Sequence, residues 1–141
     1  MEPVDAKSLG QAISGWSKFL GNQYVLTDDE TRERFARSSI PEGTRPSAVL
    51  RPASTEDVRN IVGVAKTFRI PLYPISRGKN WGYGSACAVT DGQAIVDLSR
   101  MNRILEVDED LAYAVIEPGV TQQQMYQHLR DNNYPLWQDV T

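Results

Sequence analysis

The stretch Ser76-Arg77-Gly78-Lys79-Asn80-Trp81-Gly82-Tyr83-Gly84-Ser85 holds the residues whose types and spacing best suit ligand chemistry. Three glycines fall within seven positions, 78 to 84, and glycine permits positive φ and close backbone approach. Consecutive backbone N–H groups in such a turn form a concave nest that takes an anion, typically a phosphate. Arg77 and Lys79 add positive charge at the same place, and hydrogen bonds to a charged phosphate are the strong kind. The Walker A pattern G-x-x-x-x-G-K-[ST] is not met, because Asn80 follows Gly78-Lys79 and position 73 is tyrosine. The dinucleotide fingerprint G-x-G-x-x-G is not met either, since the glycines stand at 78, 82 and 84. Spacing alone leaves two readings open: a phosphate-binding loop, or an irregular glycine loop with no ligand.

Other residue types that could do chemistry are few. Cys87 lies just past the loop and reads as a small buried residue rather than a redox thiol, since unpaired cysteines are mostly buried and inert. His128 is the one histidine, and it reads as a helix-surface residue rather than a general base, with no metal-ligand spacing around it. Trp81 suits either covering a ligand or packing, and Tyr83 leans towards ligand contact because it lies inside the loop. Trp16 and Trp137 are expected in the core. The acidic cluster Asp108-Glu109-Asp110 reads as a solvated hairpin tip rather than a cation site.

Elements that must position this loop are readable on both sides of it. Leu9, Ala12, Ile13, Trp16, Phe19 and Leu20 form a helical stripe with Ser8 as N-cap, ended by Gly21-Asn22. Tyr24-Val25-Leu26 is a short extended piece. Thr27 and Glu30 form a capping-box signature for a helix from about Asp28 to Ala36. The stretch from Ser38 to Pro46 reads as a linker. These features divide the chain into a helical extension, 1–42, and a second unit, 43–141.

In the second unit Ala48-Val49-Leu50 is a strand, and Ser54 caps a helix whose apolar face is Val58, Ile61, Val62, Ala65 and Phe68. Ile70 to Ile75 is apolar on both alternate sets, which predicts a strand buried on both faces. Its two prolines should sit at strand ends or at a sheet edge. Strand, helix and strand in this order make a βαβ unit with a right-handed crossover. Ala94 to Leu98 is a further strand, and 104–107 with 112–116 predict a β-hairpin. The last helix opens on a capping box, Thr121 with Gln124, and a hydrophobic staple, Val120 with Met125; Met125 and Leu129 face inward. The helix stops near Asn132-Asn133, and Pro135-Leu136-Trp137 starts another extended segment. The fold class is α+β.

Composition limits the function classes. The chain of 141 residues carries a net charge of -3, with acids and bases interleaved, so no basic stripe for nucleic acid appears. One cysteine rules out an intrachain disulfide framework. The acidic N-terminus lacks the apolar stretch of a secretory signal, and no apolar run approaches the roughly 20 residues of a membrane helix. No nucleic-acid or membrane partner is therefore expected, and the expected compartment is the cytoplasm.

Residues 74–86 closely resemble the FAD pyrophosphate loop of the vanillyl-alcohol oxidase and p-cresol methylhydroxylase (4-cresol dehydrogenase) flavoprotein family. Residues 101–107 and 113–121 are similar to that family's next two signatures, in the same order. The resemblance covers about Ala48 to Thr141 and extends more weakly to the N-terminal helices. It implies an FAD-binding, PCMH-type fold, of which this chain is the first subdomain. It also implies that Ser76, Arg77, Gly78, Lys79, Asn80, Trp81, Gly82, Tyr83 and Gly84 cradle the diphosphate, with Pro118, Gly119 and Val120 close to the cofactor. Related flavoenzymes attach FAD through a histidine in this loop. Asn80 stands there instead, so attachment through the loop is not expected.

The resemblance implies a flavin-dependent oxidoreductase that passes a hydride from a small phenolic or alcohol substrate to FAD. The family's second glycine-rich cofactor segment, its cap domain and its catalytic residues are expected beyond Thr141. These 141 residues are not expected to catalyse alone. The rival expectation is a non-catalytic remnant that binds a nucleotide or forms a homo-oligomer through an uncovered face.

Overall fold

The computed structural model describes residues 4–38, 43–78 and 86–138. Helix α1 spans Ala6–Leu20 and starts earlier than its apolar stripe suggests. The cap is Asp5, not Ser8. The Asp5 carboxylate accepts both the backbone N–H and the hydroxyl of Ser8 at 3.0 Å, so Ser8 sits inside the first turn as a donor. Both residues suit an N-cap, but a carboxylate also answers the positive end of the helix dipole. The Ser8 N–H bond holds the Asp5 carboxyl below its usual range.

The same correction applies to α2, Asp29–Ala36, where Asp28 rather than Thr27 is the cap and accepts the Thr31 N–H at 2.8 Å. Helix α3, Thr55–Phe68, is capped by Ser54 as expected. Helix α4, Gln122–Asp131, opens on the expected capping box of Thr121 and Gln124, and buries Met125 and Leu129.

Four strands form one sheet in the order β1-β2-β4-β3. They are β1 Val25–Leu26, β2 Ala48–Leu50, β3 Leu72–Ile75 and β4 Ala94–Asp97. Strand β1 runs antiparallel to β2, whereas β2 and β3 each run parallel to β4. The two strands of the βαβ unit are therefore not neighbours, because β4 lies between them. Strand β3 is an edge strand and is half-buried, which corrects the expectation of burial on both faces. The strands buried along their whole length are β2 and β4. The edge position admits Pro74, whose missing N–H would break a ladder in the sheet interior.

Side chains alternate across the sheet and build a layer on each face. Ala48, Leu50, Ala94 and Val96 meet Ala12, Trp16 and Leu20 of α1 and Ile61 and Ala65 of α3. Val49, Ile75 and Ile95 face the other way, where Ala88 joins them and Phe35 of α2 and Ala86 pack on. Val62 of α3 was expected on the inner face but is exposed, because the helix turns Ile61 and Ala65 inward instead.

A separate antiparallel hairpin joins β5, Ile104–Asp108, to β6, Tyr113–Ile116. At its tip the Asp108 carboxylate accepts the Leu111 N–H at 2.8 Å, as a turn residue does. Trp137 is 80% exposed, contrary to its expected place in the core, and no strand forms at 135–137. It lines a cavity of about 260 Å³ with Tyr113, Ile116, Met125 and Leu129. Among the described residues no helix is long and apolar enough to cross a membrane.

Candidate functional site

Parallel pairing brings the C-terminal ends of β2, β4 and β3 to one rim. Leu50 is level with Val96, and Ile75 with Asp97, so Arg51, Ser76, Arg77 and the residues after Asp97 leave the sheet together. Ligands of open α/β sheets bind at this kind of rim, outside the carboxyl ends of the strands.

The rim is organised around a 3₁₀ turn, Leu98–Arg100. Asp97 is buried, and its Oδ1 accepts the Ser99 N–H at 3.0 Å. Arg51 places Nε 3.2 Å from Asp97 Oδ2 and donates from Nη2 to Ser99 Oγ at 3.3 Å. Arg100 donates to the Arg51 carbonyl at 2.6 Å and lies 3.4 Å over the Tyr24 ring. Arg77 is exposed and donates from Nη1 to the Ser99 carbonyl at 3.3 Å. Arg51, Arg77 and Arg100 thus meet at this turn while, among the described residues, Asp97 pairs with Arg51 alone, so the rim is positive.

The second segment closes on the same turn. The Ser76 hydroxyl donates to the Pro118 carbonyl. The Gly119 N–H donates to the Met101 carbonyl at 2.7 Å, and Val120 N–H to Glu117 O at 3.1 Å. A Cβ on Gly119 would lie 2.5 Å from Leu98 O, 2.7 Å from Met101 O and 3.0 Å from Ser99 O, so only glycine fits against the turn.

Glu117 anchors this segment. It is buried, and it accepts the Arg103 N–H at 2.8 Å, Arg103 Nε at 3.0 Å and Arg103 Nη2 at 2.6 Å. These bonds, the side-chain pair first, hold the Glu117 carboxyl below its ordinary value of 4.5. A carboxyl lowered on folding contributes stability that is present above its ordinary pKa and lost as pH falls through the lowered one. Glu117→Gln should therefore destabilise the protein at pH 7, and the gap to the unsubstituted chain should narrow progressively in urea unfolding curves as the pH is taken below the ordinary value of 4.5. A gap that stayed constant with pH would contradict the assignment.

Among the candidate site residues, Ser76, Arg77, Pro118 and Gly119 are brought together around the Leu98–Arg100 turn, with Val120 half-buried beside them. Gly78 has φ +65° and packs on Ala86, where an added Cβ would lie 2.8 Å from the Ala86 Cβ. Lys79, Asn80, Trp81, Gly82, Tyr83 and Gly84 lie outside the described residues. Sequence reasoning missed Arg51, Asp97, Ser99 and Arg100. Their signal was position: Arg51 and Asp97 each follow an apolar strand run, at the carboxyl end where parallel sheets place ligands.

Cys87 is buried, with its Sγ 3.3 Å from the Thr44 N–H donor and 3.0 Å from Thr44 Oγ1, in keeping with a packing role. His128 is half-buried on α4, its ring centroid 6.1 Å from that of Tyr134. Among the described residues no group of acidic, histidine or cysteine side chains is placed to hold a metal ion.

Residues 46–141 match the family described as FAD binding domain. The chain belongs to this FAD-binding domain family. The FAD-binding domain is 38% identical over 138 residues to 1'-carboxy-chondrochloren decarboxylase of Chondromyces crocatus, covering 98% of this chain and 26% of that protein. It is 36% identical over 136 residues to the 4-cresol dehydrogenase [hydroxylating] flavoprotein subunit of Pseudomonas putida, covering 94% of this chain and 26% of the relative.

Among solved structures it superposes on p-cresol methylhydroxylase with substrate bound at a TM-score of 0.93 and 33% identity, over 98% of this chain and 27% of that one. It matches the isoeugenol complex of 4-ethylphenol oxidase from Gulosibacter chungangensis at 0.87 and 40%, over 93% of this chain and 26% of that one. The fold is thus the PCMH-type FAD-binding fold, mixed α+β. The chain spans about a quarter of the length of the curated relatives it matches.

The residues present fit the phosphate end of FAD. The rim is positive, its glycine at position 78 takes positive φ, and among the described residues the exposed Arg77 guanidinium donates to the Ser99 carbonyl. Such a set suits an anion.

Proposed function

We propose that this FAD-binding domain holds the diphosphate of FAD at the rim formed by residues 51, 76–78, 97–100 and 118–120, with residues 79–84 as further ligands, in an oxidoreductase acting on a small phenolic or alcohol substrate. The observation that carries the reading is the convergence of Arg51, Arg77 and Arg100 on the carboxyl ends of three parallel strands. The substrate class follows from relatives whose names specify cresol and ethylphenol. Bound FAD would supply the hydride acceptor, while the chain's own residues bind and orient it.

In this reading Arg77 meets the diphosphate, and Gly78 to Gly84 present backbone N–H groups to it. Ser76 ties the loop to Pro118, and Gly119 and Val120 bring the second segment alongside. Flavin absorbance followed during FAD titration tests this. Saturable binding is expected, and Arg77→Ala should weaken it by about 10- to 100-fold, the worth of a charged hydrogen bond of roughly 1.5–3 kcal/mol. Equal affinity in the variant would sink the assignment of Arg77.

A second reading, a flavin-free interaction module that self-associates, draws on the exposed apolar residues Leu105, Tyr113, Val115 and Ile116 of the hairpin. A defined oligomer in sedimentation that is colourless and takes up no FAD would favour it.

A further inference from the structure

Asp97 is a carboxylate that the binding reading leaves without a task. It ends β4, is 8% exposed, and pairs with Arg51 at the rim. A buried carboxylate is costly unless it is paired and hydrogen-bonded. Here both oxygens are engaged, Oδ2 beside Arg51 and Oδ1 on the Ser99 N–H. The Ser99 N–H bond fixes the Leu98–Arg100 turn, and Arg51 braces it from the other side through Ser99 Oγ.

The carbonyls of that turn face the ligand-bearing segments. Ser99 O receives the Arg77 guanidinium, and Leu98 O and Ser99 O border the slot that admits Gly119. A long exposed arginine loses side-chain freedom when it grips an anion, and holding it in place beforehand reduces that cost.

We propose that Asp97 is a positioning residue for the diphosphate site: by fixing the Leu98–Arg100 turn it holds the Ser99 carbonyl where it aims the Arg77 guanidinium. This rests on the FAD reading above. Asp97 itself does not touch the ligand in this scheme. Its charge is offset by Arg51, so the rim stays positive through Arg77.

A double-mutant cycle on FAD affinity in the natural protein separates this role from general support of the fold. Asp97→Ala should weaken FAD binding by about ten-fold when Arg77 is present, and by less than about two-fold in the Arg77→Ala background, because nothing then remains to be aimed. Equal losses in both backgrounds would make Asp97 merely structural and overturn the proposal while leaving the FAD site standing. No loss in either background would overturn it as well. Absence of FAD binding in the natural protein, or an Arg77→Ala variant that binds as tightly as the natural one, would instead bring down the underlying reading.

Should Asp97→Ala fail to fold, Asp97→Asn carries the same cycle. It keeps an oxygen for the Ser99 N–H but drops the charge opposite Arg51. A loss of about three-fold confined to the Arg77 background is expected, and the same loss in both backgrounds overturns the proposal.

Discussion

Trp16→Ala is expected to destabilise the protein by about 3–5 kcal/mol, the usual cost of emptying a large aromatic site in a core. Trp16 is completely buried. It stands on α1 and packs among Ala12, Leu20, Ile61 and Ala65, in the layer that covers one face of the four-stranded sheet. Its indole Nε1 donates to the Ile61 carbonyl at 3.2 Å, which ties α1 to α3 across 45 residues of sequence. The substitution removes both the volume and the hydrogen bond.

The neighbours are held by helices and by a sheet, so they are poorly placed to collapse into the space. Domains of this size are stable by about 5–15 kcal/mol, so the loss is a large fraction of the whole. With a urea dependence of about 1–3 kcal/mol per molar, the unfolding midpoint should fall by at least about 1 M. Trp16→Phe keeps most of the volume and should lose much less. A midpoint for Trp16→Ala close to that of the unsubstituted protein would mean that α1 is not part of the cooperative core.

The second large effect is expected at Gly119. A methyl group there meets three backbone oxygens at 2.5 to 3.0 Å, and backbone atoms cannot swing aside as a side-chain end can. Accommodating it requires the 117–120 segment to move away from the Leu98–Arg100 turn. That movement would break the 2.7 Å bond from the Gly119 N–H to the Met101 carbonyl and the Ser76 bond to Pro118.

Overpacking of this kind costs about 1–3 kcal/mol, and the upper end is expected here because all three obstructions are backbone. FAD affinity should fall in parallel, since the two segments assigned to the cofactor separate. Thermal unfolding and FAD titration of Gly119→Ala check both effects. Unchanged stability would show that the turn yields more easily than its hydrogen bonds suggest. Gly78→Ala makes a useful contrast, because its strain comes from φ +65° and one side-chain neighbour, Ala86.

Glycine at 119 was legible in the sequence only as part of a resemblance to a flavoprotein signature. Nothing local distinguishes it, and its reason is the approach of a turn about twenty residues earlier in the chain. The same contrast holds through the molecule. The caps at Ser54 and Thr121 could be read directly, because an N-cap is a bond between residues three apart and needs no tertiary partner. The stripes of α1, α3 and α4 were readable, apart from the exposed Val62 of α3, because helical spacing alone puts those residues on one face.

Where two local solutions compete, as Asp5 against Ser8 or Asp28 against Thr27, the spacing rule did not choose. In both helices the side chain that caps is a carboxylate, which the positive helix end favours over a hydroxyl.

The hairpin and the family were determined by the sequence alone, since residue types and their order carry them. Strand order was not. Strand β4 enters between β2 and β3, and this makes β3 an edge and brings Arg51 to within reach of Asp97, 46 residues away. The positive rim exists only because parallel pairing aligns three strand ends that are far apart in the chain. Trp137 shows the limit in the other direction: its large apolar ring predicts burial, but whether a side chain is covered depends on what packs over it, and the described residues leave it largely exposed. Local hydrogen bonds and periodicity are written in neighbouring residues, whereas strand order, burial and the gathering of charge depend on which distant segments meet.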